Sequence, residues 1–115
     1  IPVVLDESIR DPLDVALFGE YVDGVNLKIV KHGGIARSLA VASAARAQGL
    51  ALMVGCMIES SLGIAQAAQL LPLVRWADLD GWLLLAEDPY AGLEREGAWM
   101  RPPAGPGLGV SRRTA

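Results

Sequence analysis

Four short apolar runs, each closed by polar or charged residues and separated from the next by a helix-length segment, narrow the fold more than any other feature of the sequence. Pro2-Val3-Val4-Leu5 runs into Asp6-Glu7-Ser8. Val25-Asn26-Leu27-Lys28-Ile29-Val30 runs into Lys31-His32-Gly33-Gly34. Leu50 to Val54 runs into Gly55-Cys56-Met57-Ile58-Glu59-Ser60, and Trp76-Ala77 into Asp78-Leu79-Asp80-Gly81. Runs of this length and apolarity suit strands buried on both faces. Strands that alternate with helices through short loops pair in parallel, so the pattern predicts an α/β fold, β-α-β-α-β-α-β, with a parallel sheet. In such sheets the carboxyl ends of the strands share one face, and active sites lie there. The intervals of 22, 31 and 19 residues from Asp6 to Lys28, Glu59 and Asp78 fit one βα unit each.

The segments between the runs carry helix signals. Asp11 is placed as an N-cap with Pro12 at the first helical position and Asp14 in the first turn; Leu13, Ala16 and Leu17 are its expected apolar face and Gly19 its end. A longer helix is expected over Ile35 to Gln48, with Ile35, Leu39, Ala42 and Arg46 at helical spacing and Gly49 as its stop. Ser60 or Ser61 caps a third, running to about Leu71 with Ile64, Ala67, Ala68 and Leu71 inward. From Leu85 the pattern changes. Residues 89–115, rich in Gly and Pro, read as an irregular tail that packs on another part of the protein, and Ser111 to Ala115 as a frayed terminus.

The second run holds the only two lysines in the chain, Lys28 and Lys31; the other eight cationic residues are arginine. A guanidinium stays protonated in proteins, whereas an ammonium can be tuned by burial and neighbours and can pass a proton. In an extended stretch Val25, Leu27 and Ile29 share one face and Asn26, Lys28 and Val30 the other, which puts Lys28 near the strand's carboxyl end and Lys31 beyond it. Lys28 thus reads either as a proton-transfer group or as a strand-end lysine reaching solvent.

Composition closes off several classes. A net charge of −3, no basic run and few aromatics leave no basis for a nucleic-acid groove. No apolar run reaches membrane-spanning length. The single cysteine cannot form an internal disulfide, which fits a cytoplasmic setting. The first residues, Ile1 to Leu5, lack an initiator Met and a charged leader and read as a strand, so the chain is expected to begin in mid-protein.

The remaining polar positions each have two readings. Asp6 is a helix-cap or turn residue, or a metal ligand. Cys56 is a small buried residue, or a nucleophile that lacks a histidine base. His32 is expected to face solvent or pack in a loop. Glu59 either favours a helix dipole or belongs to a site. Asp78 and Asp80 share one side if extended, where two like charges call for a cation between them; the alternative is a turn-forming pair. Glu7 orients neighbours or faces solvent, and Trp76, Trp82 and Trp99 are packing groups.

Taken together and in order, Asp6-Glu7-Ser8, Asn26 to Gly34, Gly55 to Ser60, Asp78 to Gly81 and Pro106-Gly107-Leu108-Gly109-Val110 resemble the C-terminal part of an enolase-superfamily enzyme, most closely the L-Ala-D/L-Glu dipeptide epimerases of the muconate-lactonising subgroup. The resemblance implies strands five to eight of a TIM-like (β/α) barrel within residues 1–88, and a tail, 89–115, that packs on a capping domain outside this chain. It implies Mg²⁺ as cofactor with Asp6 as one of three carboxylate ligands, Lys28 as the acid/base group, backbone contacts to substrate at Cys56 and Ile58 with Glu59 nearby, and Asp78 and Asp80 receiving the dipeptide's ammonium group. It further implies a homo-oligomer in the complete enzyme. The second lysine, two metal ligands and the capping domain of that family have no counterpart here, so little activity is expected from this chain alone. o-Succinylbenzoate synthase and muconate cycloisomerase, relatives acting on acids without an ammonium group, are the alternative activities. A catalytically incomplete half-barrel whose open edges pair with a second copy or a complementary fragment is the non-catalytic one.

Overall fold

The computed structural model describes residues 1–114. Four strands, β1 (Val4–Leu5), β2 (Gly24–Leu27), β3 (Ala51–Gly55) and β4 (Trp76–Asp78), form one sheet in the order β1-β2-β3-β4, and every pairing is parallel. Leu27 lies beside Val54, and Gly55 beside Asp78, so the carboxyl ends of all four strands lie along one rim. The connections are α1 (Pro12–Phe18), a one-turn helix α2 (Ile29–His32), α3 (Ile35–Ala47) and α4 (Ser61–Ala68), with 3-10 turns at Gly19–Tyr21, Leu71–Leu73 and Gly81–Leu84. The core lies between sheet and helices: Val25, Leu27, Leu52 and Val54 from the strands meet Val15, Val41, Ala45 and Ile64 from the helices, all buried. The expected α/β architecture with a parallel sheet is present.

The start of α1 is set by the signals in the sequence. Asp11 accepts from the backbone N–H groups of Leu13 and Asp14, Asp14 accepts in return from Asp11 N–H, and Pro12 needs no partner at the first position. The apolar face differs from expectation. The cap fixes the helix phase so that Val15 is buried, which turns Leu13 and Leu17, two residues to either side, toward the opposite face, 66% and 56% exposed. α3 is rotated in a similar way. Its inward residues are Ser38, Val41, Ala42 and Ala45, not the set led by Leu39 and Arg46, because Ser38 is held inside by hydrogen bonds to His32 and to the Gly34 carbonyl. Arg46 points out and donates to the Leu73 carbonyl.

The lysine strand is shorter than the alternation suggested. β2 ends at Leu27, and Ile29 and Val30 are helical, not extended: α2 begins at once with Lys28 as its N-terminal flanking residue. Gly33 then takes φ 79°, a left-handed conformation that glycine adopts without penalty, and closes the turn through N–H bonds from Gly33 and Gly34 to the Val30 and Ile29 carbonyls.

The tail is more ordered than expected. Strand β5 (Tyr90–Ala91) pairs antiparallel with β8 (Ser111–Arg112), and β6 (Glu94–Glu96) with β7 (Trp99–Arg101). Ser111 and Arg112 are therefore paired and not frayed, and Arg113 donates to the Pro89 and Tyr90 carbonyls; Ala115 lies outside the described residues. Asp88 joins the tail to the barrel segment. Its carboxylate accepts from Ser61 N–H at 2.8 Å and from the Ser61 hydroxyl, which supplies α4 with the cap that Ser60 does not, and from Tyr90 N–H at 3.0 Å.

Candidate active site at the strand carboxyl ends

Asp6 leaves the end of β1 directly beside the end of β2, and three side chains converge on it. Lys28 Nζ lies 2.9 Å from Oδ2, Lys31 Nζ donates to Oδ1 at 2.8 Å, and Asn26 Nδ2 donates to Oδ2 at 2.9 Å. Burial alone raises a carboxyl pKa, but here Lys31, Lys28 and Asn26 together outweigh it and hold Asp6 at about 2. Asp6 is thus ionised at any physiological pH. Its hydrogen bond pushes Lys28 above the ordinary lysine value against the opposing effect of burial, so Lys28 holds its proton while Asp6 is its counter-ion. The other neighbours of Lys28 are looser: Glu7 Oε1 at 3.5 Å from an exposed side chain, and Met57 Sδ at 3.9 Å.

The adjacent strand ends complete the rim. Glu59 accepts from Met57 N–H at 2.9 Å and so shapes the loop after β3. Cys56 Sγ accepts from Gly81 N–H at 3.4 Å, tying that loop to the one after β4. Burial pushes the Cys56 thiol up, the Gly81 N–H works against this, and the negative charges of Asp78, Glu59 and Asp80 push it further. A thiol held protonated by burial and by nearby carboxylates is a poor nucleophile, in keeping with the reading of Cys56 as a packing residue. Ile58 stands exposed in the same loop. Asp78 and Asp80 are both exposed while Leu79 between them is buried; β4 ends at Asp78, and Asp80 has turned to a helical backbone ahead of the 3-10 turn. They line a cleft of about 320 Å³ with Trp82, Arg95, Trp99 and Met100.

Every site residue named from the sequence lies on this rim, and the structure adds two. Lys31, expected beyond the strand, lies there in α2, which carries its side chain back onto Asp6. Asn26, on the same strand face as Lys28, was visible only as part of the alternation. Of the two readings of His32, facing solvent or packing, the structure takes the second: it is 1% exposed at the end of α2. Ser38 donates its hydroxyl to the Gly34 carbonyl, so it accepts from His32 Nδ1 at 3.0 Å, and Nε2 is left as an unpaired buried acceptor. Burial, then Lys31 and Arg37, lower the His32 pKa and keep the ring neutral.

The donor set suits a hard divalent cation as one contributor among several. Asp6 is an ionised oxygen ligand, and the neighbouring Asn26 Oδ1 is buried without a hydrogen-bond partner. Among the described residues no three His, Cys, Asp or Glu side chains converge to hold a metal, so Asp6 fits a cation site as one ligand and not as a complete set. No helix among them is long and apolar enough to cross a membrane.

The chain is similar in sequence and in fold to known proteins. The hydrophobic dipeptide epimerase of Roseobacter litoralis is 45% identical over 109 residues, 95% of this chain and 32% of that protein. The L-Ala-D/L-Glu epimerase of Bacillus subtilis, solved with substrate, superposes with a TM-score of 0.85 at 33% identity over 95% of this chain and 32% of that one. A dipeptide epimerase of Cytophaga hutchinsonii, solved with Mg and the dipeptide D-Ala-L-Val, gives 0.85 at 27% identity over 98% and 33%. This chain therefore spans about a third of the length of its relatives. Residues 1–114 match the enolase C-terminal domain-like family, and the chain belongs to it.

Proposed function

We infer that this chain supplies the acid/base lysine and one metal carboxylate of a Mg²⁺-dependent enzyme that epimerises dipeptides such as L-Ala-D/L-Glu. The observation that carries the reading is the pairing of Lys28 with Asp6 at 2.9 Å on adjacent carboxyl strand ends, with Asp78 and Asp80 on the same rim. The names borne by the relatives agree with it.

The chemistry follows from the residue types. Lys28, as free amine, takes the proton from the carbon next to a carboxylate; the C–H electron pair passes into an enediolate, and return of a proton from the opposite face inverts the centre. Lys28 can accept that proton only after its ammonium has released one to solvent, which becomes easier once Asp6 no longer serves as its counter-ion. When bound, Mg²⁺ supplies the positive charge that offsets the enediolate dianion. Asp78 and Asp80 receive the substrate ammonium, and the backbone at Cys56 and Ile58, in the loop shaped by Glu59, orients the rest. The second acid/base group and the remaining ligands belong to the part of the enzyme outside this chain. The tail from residue 89 packs there as well, which accounts for Trp99 being 78% exposed.

In the enzyme that carries this chain, Lys28→Met should abolish α-proton exchange with D₂O on one substrate enantiomer. Asp78→Asn and Asp80→Asn should raise KM for dipeptides by one to two orders of magnitude, since each removes a charged partner of the ammonium, worth roughly 1.5–3 kcal/mol. Unchanged dipeptide turnover in the Asp78→Asn, Asp80→Asn protein would refute the substrate assignment and favour an o-succinylbenzoate synthase or muconate cycloisomerase activity.

A further inference from the structure

The two lysines differ in what their ammonium groups have left to offer. Lys31 Nζ has three N–H bonds and three acceptors: Asp6 Oδ1 at 2.8 Å, the Asp6 backbone carbonyl, and the Asn26 carbonyl at 3.3 Å. Two of these belong to the main chain, one at the end of β1 and one near the end of β2. Lys28 Nζ has one close ion-pair contact, Asp6 Oδ2 at 2.9 Å, and two long contacts, to Glu7 and Met57. The side chains are equally enclosed, at 12% and 13% exposure, so the contrast lies in bonding and not in burial.

We propose that Lys31 is a positioning residue: its saturated ammonium staples the ends of β1 and β2 together and holds the Asp6 carboxylate by Oδ1, so that Oδ2 is presented to Lys28 at a fixed separation. The assignment rests on the reading of Lys28 as the acid/base group and adds the reason that Lys31 is not a second one. An ammonium whose three donors are taken by a carboxylate and two carbonyls has no proton aimed at a substrate. The geometry also explains why lysine stands here in a chain that otherwise uses arginine. Three acceptors gathered around a point suit a compact tetrahedral donor, whereas the planar guanidinium fork matches a carboxylate and cannot cap two carbonyls of separate strands at once. The single turn of α2 is what returns the side chain to Asp6, three residues after Lys28.

The test uses the 115-residue chain labelled with ¹⁵N-lysine, which shows just two ammonium signals. Lys28→Arg and Lys31→Arg assign them. The Lys31 ammonium is expected to exchange hydrogen with water at least tenfold more slowly than Lys28. In Lys31→Met the Lys28 ammonium should slow several-fold as it takes over both Asp6 oxygens, a response that a lysine with a merely structural role would not produce. Equal rates in the unsubstituted chain, the reverse order, or an unchanged Lys28 rate in Lys31→Met would each overturn the assignment. None of these readouts uses turnover, so failure of the epimerase reading would show separately, as absent dipeptide activity in the enzyme that carries this chain with the exchange contrast intact.

Discussion

Gly55 sits at the end of β3 where a side chain would collide with the group that orients Asp6, and Gly55→Ala tests that arrangement. A Cβ built there lies 2.7 Å from Asn26 Nδ2 and 2.8 Å from Asn26 Oδ1, against an ordinary contact of about 3.4 Å or more. The Asn26 amide must retreat by roughly 0.7 Å, and it is buried, with Nδ2 already committed to Asp6 at 2.9 Å. Gly55 has no positive φ, so the backbone itself accepts alanine and the cost is steric. Overpacking costs about 1 kcal/mol at its low end. Loss of a hydrogen bond to a charged group costs about 1.5 kcal/mol at the low end appropriate to a carboxylate one-third exposed. The sum, about 2.5 kcal/mol, corresponds for a chain of this length to a fall in Tm of roughly 10 °C.

A double-mutant cycle separates this cause from a general intolerance of β3. In the Asn26→Ala background the obstacle is gone, and Gly55→Ala should be neutral or slightly stabilising through reduced freedom of the unfolded chain. Urea denaturation of the four proteins gives the coupling, expected at 1.5 kcal/mol or more on the magnitudes above. Additivity to within about 0.5 kcal/mol would refute the collision.

Three further outcomes follow from the same geometry. Asp88→Ala removes the cap of α4 and its tie to Tyr90, and should cost about 1–2 kcal/mol and speed proteolysis after Leu85; equal cleavage rates in variant and parent would show that the tail is held elsewhere. Because the folded-state pKa of His32 lies below the unfolded value of 6.5, the unfolded chain binds the extra proton, so stability is full above about pH 6.5 and declines as pH falls below it. Denaturation midpoints of His32→Leu between pH 7.5 and 5 should lack that slope. Asp6, lowered from 3.8 to about 2, contributes stability that is present above pH 3.8 and lost as pH falls through 2; a shift worth roughly 2.5 kcal/mol falls to about 1 once solvent screening of a partly exposed group is counted. Asp6→Asn should flatten the curve in that window, and an unaltered acid limb would place the linkage on another carboxylate.

The strand order, the helix cap at Asp11 and the acidic strand ends were legible because each rests on local chemistry: apolar runs, a capping box, polar residues where strands stop. What escaped the sequence was phase. Periodicity gave α1 and α3 an apolar face, but the phase of each was decided by one polar anchor, the Asp11 cap in α1 and the His32–Ser38–Gly34 bonds in α3. Strand alternation likewise carried the lysine run to Val30, because Ile29 and Val30 are β-branched residues that favour strands; tertiary packing of buried Ile29 and the Gly33 turn overrode that preference. The return of Lys31 onto Asp6 and the burial of His32 both descend from this one boundary.

That boundary also orders the electrostatics of the rim. Asp6 carries a single negative charge between two ammonium groups, so a further cation on it would compete with them for that charge. Lys31 holds on through two backbone carbonyls whichever way the carboxylate turns, whereas Lys28 has one close ion-pair contact, to Oδ2. Exchange therefore falls on Lys28. Occupancy of Asp6 and the proton affinity of Lys28 are coupled through that one oxygen: with Asp6 as its counter-ion Lys28 is a held ammonium, and with Asp6 engaged elsewhere it loses the largest influence that raises its pKa. A strand ending one turn later would have left Lys31 pointing away from Asp6, with no second cation to make the first one releasable.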